Sequence, residues 1–177
     1  VKMEAGTFNY FNSSISSGFS SGKNDGFIST SYSKSDGYRI YNSSKRFNAL
    51  LNIGRQFTNK FETRLYASFT DLYFDIPGPQ MESDNKQINK TPKTTFPYAF
   101  GPNVQRDKPN RSSKIARFGS KSAYKFNNHS LLTATLYYQY ADDAFVYPIA
   151  TNIRHDYNND YGLRLTYDYN TRKNDLS

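Results

Sequence analysis

The sequence predicts an all-β fold: an antiparallel segment of a transmembrane β-barrel with about eight strands. Three observations predict it. Apolar and polar residues alternate with a period of two in successive segments, short turns alternate with long connections, and Tyr and Phe lie near strand ends around a modest apolar band. Aromatic rings at the borders of an apolar band are typical of outer-membrane barrels, because the ring is apolar while the Tyr hydroxyl stays hydrated.

Period-two alternation defines each strand in turn. In the last one, for example, Leu163 and Leu165 share a face while Arg164 and Asp168 share the other. The alternation is poorest in the third, where Phe27 and Ile28 fall on opposite faces. The predicted strands cover residues 1–6, 11–19, 26–36, 46–57, 61–70, 114–126, 131–140 and 161–170.

The connections between these strands differ sharply in length. Tight turns rich in Asn, Asp and Gly are predicted at 21–26, 58–60, 127–129 and 171–174. Long connections are predicted at about 37–45, 75–112 and 143–157. Because short and long connections alternate, the predicted sheet has short turns at one end and long loops at the other.

Two architectures are compatible with alternating strands: a soluble sandwich or barrel, and a transmembrane barrel. A sandwich core is rich in Val, Ile and Leu, but Val is scarce here and the apolar face carries Phe and Tyr. Full charges such as Arg64, Lys121 and Arg164 stand mid-strand on the opposite face, where a wet or plugged lumen tolerates them. We therefore favour the membrane barrel, with a Tyr-rich soluble sandwich as the alternative.

The composition is compatible with this preference and excludes several other classes. The 177 residues carry a net charge of +8, 36% hydrophobic and 17% aromatic residues, and no cysteine. The mean hydropathy of −0.81 can average a thin lipid-facing stripe with a polar lumen and polar loops. The aromatic content argues against simple disorder, and the absence of cysteine excludes disulfides, thiolate metal sites and a Cys nucleophile.

Three short motifs, in order and in phase with the strands, resemble those of the TonB-dependent outer-membrane receptors. Residues 3–8 resemble their first barrel strand reaching a short outer loop, and 33–39, which contain Asp-Gly-Tyr-Arg, resemble the end of their third strand. Residues 74–79, Phe-Asp-Ile-Pro-Gly-Pro, resemble the opening of a long extracellular loop. The resemblance covers most of the chain and places it at the start of the barrel, after the plug.

This resemblance implies a barrel of about 22 strands around a globular plug, with import energised through the inner-membrane TonB complex. Residues 1–177 would then be a partial barrel with a long extracellular loop at about 75–112, lacking the plug, the coupling box and the remaining strands. We expect the chain to be a piece of a longer one, since hydrocarbon does not tolerate open sheet edges. Its expected partners are its own plug and remaining strands, the TonB complex through the missing N-terminal region, and lipopolysaccharide or other outer-membrane lipid.

The predicted ligand surface is the long-loop end, where aromatic and basic residues are interleaved. Guanidinium and ammonium groups bind carboxylate or phosphate oxygens, and aromatic faces suit chelate rings. We therefore expect an anionic iron chelate, siderophore-like or ferric citrate-like; the alternatives are a solvated loop or a basic rim facing lipopolysaccharide phosphates. The candidate ligand-binding residues are Tyr38, Arg39, Tyr41, Phe96, Tyr98, Phe100, Arg106, Lys108 and Arg111.

Charged residues elsewhere have structural interpretations. The mid-strand charges predict cross-strand salt bridges and plug contacts, and are Glu62, Arg64, Arg117, Lys121, Arg164 and Asp168. The Asp142-Asp143 pair is interpreted as a solvated turn at a strand end, with a cation site as the alternative.

No constellation in the sequence supports enzymatic chemistry, a resident metal or a cofactor. His129, in a turn, and His155, in a long loop, lack ligand spacing, and no nucleophile elbow accompanies them. A nucleic-acid partner is disfavoured because the basic residues are spread over both ends and one face. The sequence thus predicts an active importer in the bacterial outer membrane, not an enzyme; a passive porin-like channel or a surface adhesin is the alternative, and a secreted soluble β-domain a third.

Overall fold

A computed structural model describes residues 1–77, 107–147 and 153–170. These residues form one eight-stranded sheet in which every strand pairs antiparallel with the next along the chain. The strands are β1 (Lys2–Gly6), β2 (Tyr10–Ser21), β3 (Asn24–Ser35), β4 (Ser44–Thr58), β5 (Phe61–Asp75), β6 (Asn110–Asn127), β7 (Ser130–Val146) and β8 (Ile153–Tyr169). The predicted all-β antiparallel fold is confirmed.

The strand register places the residues predicted to be apolar on one side of the sheet, which we call the apolar face. One paired row on this face crosses seven strands through Ser17, Ile28, Leu51, Ala67, Phe118, Tyr138 and Tyr161. The neighbouring row on the other side, the polar face, passes through Gly18, Phe27, Asn52, Tyr66, Gly119, Tyr137 and Gly162. Phe27 and Ile28 lie on opposite faces, as the alternation predicts.

The apolar face has no second layer packed against it within the described residues. Ile15, Leu65, Phe118, Leu136 and Leu163 are between 53% and 61% exposed. Monomeric soluble proteins seldom leave so extended an apolar surface in water, which marks it as a surface for contact with lipid or another protein.

Strands β4 to β8 are longer than a bilayer requires. Each has 15 to 18 residues, whereas about 9–11 tilted residues cross the hydrocarbon. Beyond the apolar band the row on the apolar face becomes charged, with Asp71 opposite Lys114 and Lys114 opposite Asp142. The sheet therefore extends past the band at the end where the long connections lie, which we call the loop end.

The opposite end, which we call the turn end, carries three of the predicted tight turns, at 21–26, 58–60 and 127–129. The fourth, at 171–174, lies outside the described residues. Gly22 turns with φ +58° between β2 and β3, where a left-handed backbone favours glycine. Thr58 accepts backbone hydrogen bonds from Lys60 and Phe61 through its hydroxyl. The Asn127 side chain accepts one from the His129 amide, as expected for a side-chain-bonded turn.

The predicted connection at 143–157 is wrong. β7 continues to Val146 and β8 begins at Ile153, so only residues 147–152 connect them. The other long connections are also slightly shorter than predicted, at 36–43 and 76–109. The residues at these strand ends are mostly polar and show no clear alternation with apolar residues, so their strand propensity is weak. Pairing with the neighbouring strand nevertheless holds them in the sheet.

Candidate functional site

The loop end brings together part of the predicted ligand surface. Tyr38, Arg39, Tyr41, Lys108 and Arg111 lie among the described residues. The other candidates, Phe96, Tyr98, Phe100 and Arg106, lie outside them.

Tyr38, in the connection between β3 and β4, packs against the connection between β1 and β2. Its ring meets that of Phe8 edge-on, with centroids 5.5 Å apart and planes at 81°. The Asp36 amide donates to the Phe8 carbonyl over 2.8 Å, which joins the same two segments. Tyr41 follows in the left-handed region with φ +57° and is half-buried. Both tyrosines therefore lie in a loop that is held by these contacts, and the Tyr38 ring stays exposed.

Arg39 holds the long connection in place. Its Nη2 donates to the Pro77 carbonyl over 3.0 Å. Beside that contact, the Ile76 amide donates to the Pro109 carbonyl over 2.9 Å, and Pro109 is fully buried. Arg39 thus has a structural contact at the point where the 76–109 connection leaves and re-enters the sheet.

A carboxylate that sequence reasoning did not single out lies next to this contact. Asp75 accepts a hydrogen bond from the Tyr73 hydroxyl over 2.7 Å and another from the Ser43 hydroxyl. Burial of the phenol, together with the negative charge of Asp75, raises the pKa of Tyr73 to about 12. Tyr73 therefore remains a protonated donor at physiological pH. The sequence signal was present, since Asp75 belongs to the motif that opens the long loop.

Arg111 is neutralised by a carboxylate of the next strand. Its Nε and Nη2 donate to the two oxygens of Asp143, each over 2.9 Å, in a bidentate pair. The guanidinium holds the pKa of Asp143 below its ordinary value. A ligand would have to compete with Asp143 for Arg111, whereas Lys108 is exposed and no acidic side chain among the described residues pairs with it.

The interpretation of Asp142-Asp143 as a turn, and its alternative as a cation site, are both corrected. The two carboxylates lie inside β7 on opposite faces, because successive residues of a strand alternate. Asp143 pairs with Arg111, while Asp142 lies 2.5 Å from Nε2 of His155. His155 is a β8 residue and not part of a long loop, and the Tyr157 hydroxyl lies 3.1 Å from its Nδ1.

On the polar face, the predicted cross-strand contacts form at some of the predicted residues. Arg64 reaches across β4 to Asp25 of β3, with Nη2 2.6 Å from a carboxylate oxygen, and its Nη1 donates to Asn52 over 2.7 Å. Arg117 donates to the Gln139 side chain over 2.6 Å, so its partner is an amide and not an acid.

The remaining polar-face charges do not pair in this way. Four of the charged residues predicted to form salt bridges form none within the described ranges. They are Glu62, Lys121, Arg164 and Asp168. Their positions on the polar face nevertheless agree with the predicted alternation.

The described ranges contain no group of three or more His, Asp or Glu side chains placed to hold a metal ion. In the same ranges no helix has the length and apolar character needed to span a bilayer. No protein-family model matches the chain. A search of curated proteins finds no match either.

Proposed function

We propose that this chain is part of an outer-membrane β-barrel receptor that imports an anionic iron chelate, siderophore-like or ferric citrate-like, using energy from the TonB complex. The observation that supports the membrane location is the sheet itself. Among the described residues one face is uncovered and carries an apolar band across the long strands, and the other carries charges and amides. Lipid satisfies the first face and a wet lumen the second.

Energetics favour lipid contact for the apolar face. Each Å² of apolar surface removed from water contributes about 25 cal/mol, and side chains such as Leu65 and Leu163 are more than half exposed. The charged extension at the loop end continues above the apolar band, as expected for strands that project from the outer surface into water. Closure by further strands would remove the open edges of β1 and β8.

Support for import comes from the motif resemblance and from the loop-end chemistry. Lys108 and the Tyr38 ring are both exposed at the loop end, and no acidic side chain among the described residues pairs with the Lys108 ammonium group. A passive porin-like channel or an adhesin on the same barrel remains the competing function, and energy dependence separates them.

The first experiment tests location and energy dependence with the full-length protein in its own cells. We expect the protein in the outer-membrane fraction and extractable only with detergent. Uptake of radiolabelled ferric citrate and ferric siderophores should stop when a protonophore collapses the proton gradient, and cells lacking the protein provide the background. Uptake that continues without the gradient would instead indicate a passive channel, and no protein-dependent uptake of any chelate would refute import.

The second experiment tests the loop-end cations. Combining Arg106→Ala with Lys108→Ala should weaken chelate binding to the purified full-length receptor by about tenfold, because charge-assisted hydrogen bonds are lost. Lys23→Ala, in the tight turn between β2 and β3 at the turn end, is the matched control and should leave the affinity unchanged. An unchanged affinity in the double variant would remove these residues from the site.

A further inference from the structure

We propose that a second anion site lies on the polar face, built from Lys121 of β6, Thr135 of β7 and Arg164 of β8. The register pairs Lys121 with Thr135 and Thr135 with Arg164, so the three residues form one row across three strands. Neighbouring strands are about 4.8 Å apart, which places the two cations about 10 Å apart at the backbone. Side chains of this length can converge on one ion above the Thr135 hydroxyl.

Within the described strands the positive charge of this row has no acidic partner. Neither Lys121 nor Arg164 forms an ion pair or a side-chain hydrogen bond within the described part of the chain. On its other side Lys121 faces Arg64, a like charge directly opposite, which is unfavourable in a sheet. Arg64 turns away towards Asp25, so no residue of the described strands directly across from Lys121 offsets its charge.

The acidic residues nearest the row form no ion pair with its cations within the described residues. Glu62 is diagonal to Lys121 and forms no ion pair with it. Asp160 and Asp168 lie four residues to either side of Arg164 on its own strand, or about 13 Å away along the backbone. Asp160 is already an acceptor for the amide groups of Gln139 and Asn158.

The chemistry of the row defines the class of ligand. An ammonium, a hydroxyl and a guanidinium together suit an oxyanion, and a guanidinium binds the paired oxygens of a carboxylate or phosphate. A cavity of about 270 Å³ adjoins the row at Lys121 only; Glu62, Thr133 and Lys125 also line it, and it does not extend to Thr135 or Arg164. We therefore assign a carboxylate- or phosphate-bearing solute to this site.

The site extends the proposed function and depends on it for its role. Lys121 stands ten residues along β6 from Arg111, roughly 33 Å nearer the turn end. In an importer of anionic chelates, this row provides a second binding site inside the lumen, which the chelate reaches after it has bound at the loop end. Binding at the row can nevertheless be measured whether or not transport occurs.

The experiment uses citrate as the probe and the purified full-length protein in detergent, at constant ionic strength, with calorimetric titration. Arg106→Ala and Lys108→Ala are first combined so that loop-end binding is weakened. In that background citrate binding should persist, and adding Lys121→Gln with Arg164→Gln should weaken it by at least about tenfold. Lys114→Gln, on the same strand but the opposite face, is the control and should change the affinity less than about twofold.

Absence of citrate binding in the background protein would overturn the site, as would unchanged binding after both cations are removed. If the double substitution prevents folding, Thr135→Val replaces it, because this change removes the hydroxyl with little change in volume. We expect affinity about fivefold weaker in that variant, and an unchanged affinity would again overturn the site. Failure of energised uptake in whole cells, with this binding intact, would refute the proposed function and leave the site standing.

Discussion

Gly54 of β4 is the residue that allows the Arg64–Asp25 ion pair to form across an intervening strand. A Cβ atom at Gly54 would lie 2.5 Å from Nη2 of Arg64 and 2.6 Å from Oδ1 of Asp25. Both distances are well inside van der Waals contact. We therefore predict that Gly54→Ala forces the guanidinium and the carboxylate apart and also breaks the Arg64–Asn52 hydrogen bond.

The expected magnitude follows from three contributions. The ion pair is partly exposed, at 35% for Arg64 and 46% for Asp25, so its loss costs about 0.2–1 kcal/mol. Loss of the Arg64–Asn52 hydrogen bond and the displacement of two side chains bring the total cost to about 2–3 kcal/mol. Replacing glycine returns about 0.4–1 kcal/mol through the unfolded state. The net loss of stability should be about 1–2.6 kcal/mol.

The measurement is the free energy of unfolding of the full-length protein in lipid vesicles, from urea titration. Gly119→Ala is the matched control, because it also lies mid-strand on the polar face but its Cβ would meet the Leu136 carbonyl at 3.5 Å, an ordinary contact. That variant should be neutral or slightly stabilised. Equal stability of the Gly54→Ala and Gly119→Ala proteins would refute the steric reasoning. Arg64→Met added to Gly54→Ala should cost little more, since the ion pair is already lost.

Three further outcomes are expected. Arg111→Gln should destabilise the protein by about 0.2–1 kcal/mol near neutral pH. Because the pKa of Asp143 is lowered from 3.8, this difference is present above pH 4 and should vanish as the pH falls through the lowered pKa. A constant difference down to pH 2 would contradict this prediction. Tyr73→Phe should cost about 1–2 kcal/mol by removing a hydrogen-bond donor to the Asp75 carboxylate. In spectrophotometric titration, the native protein should show a phenol that ionises near pH 12, and the variant should lack it. Gly162→Ala should cost about 1–3 kcal/mol in the urea assay, because its Cβ would lie 2.4 Å from the Tyr137 ring, and Tyr137→Ala should abolish that cost.

The faces of the sheet could be predicted from the sequence because alternation is a local property. Leu163 and Arg164 are adjacent in the chain, and a strand must place them on opposite sides. The turn at His129 was equally local, since Asn127 supplies the side-chain hydrogen bond two residues away.

The pairings between strands could not be predicted in this way, because they depend on register. Arg64 and Asp25 are 39 residues apart, and Arg111 and Asp143 are 32 apart. Nothing in either local sequence reveals its partner. The full lengths of β7 and β8 were also missed, because beyond the apolar band a strand is held by its neighbour's backbone and not by a hydrophobic pattern.

The order of strands in the sheet matches their order in the chain, and this has a consequence for assembly. Each strand needs only its predecessor, so the sheet can grow hairpin by hairpin, with low-cost closure at each tight turn. The step from β5 to β6 differs, because it must close residues 76–109. That closure costs about 2–3 kcal/mol more chain entropy than closing a two-residue turn. Growth should therefore pause there, with β1–β5 and β6–β8 forming as two separate units before they join along the β5–β6 seam.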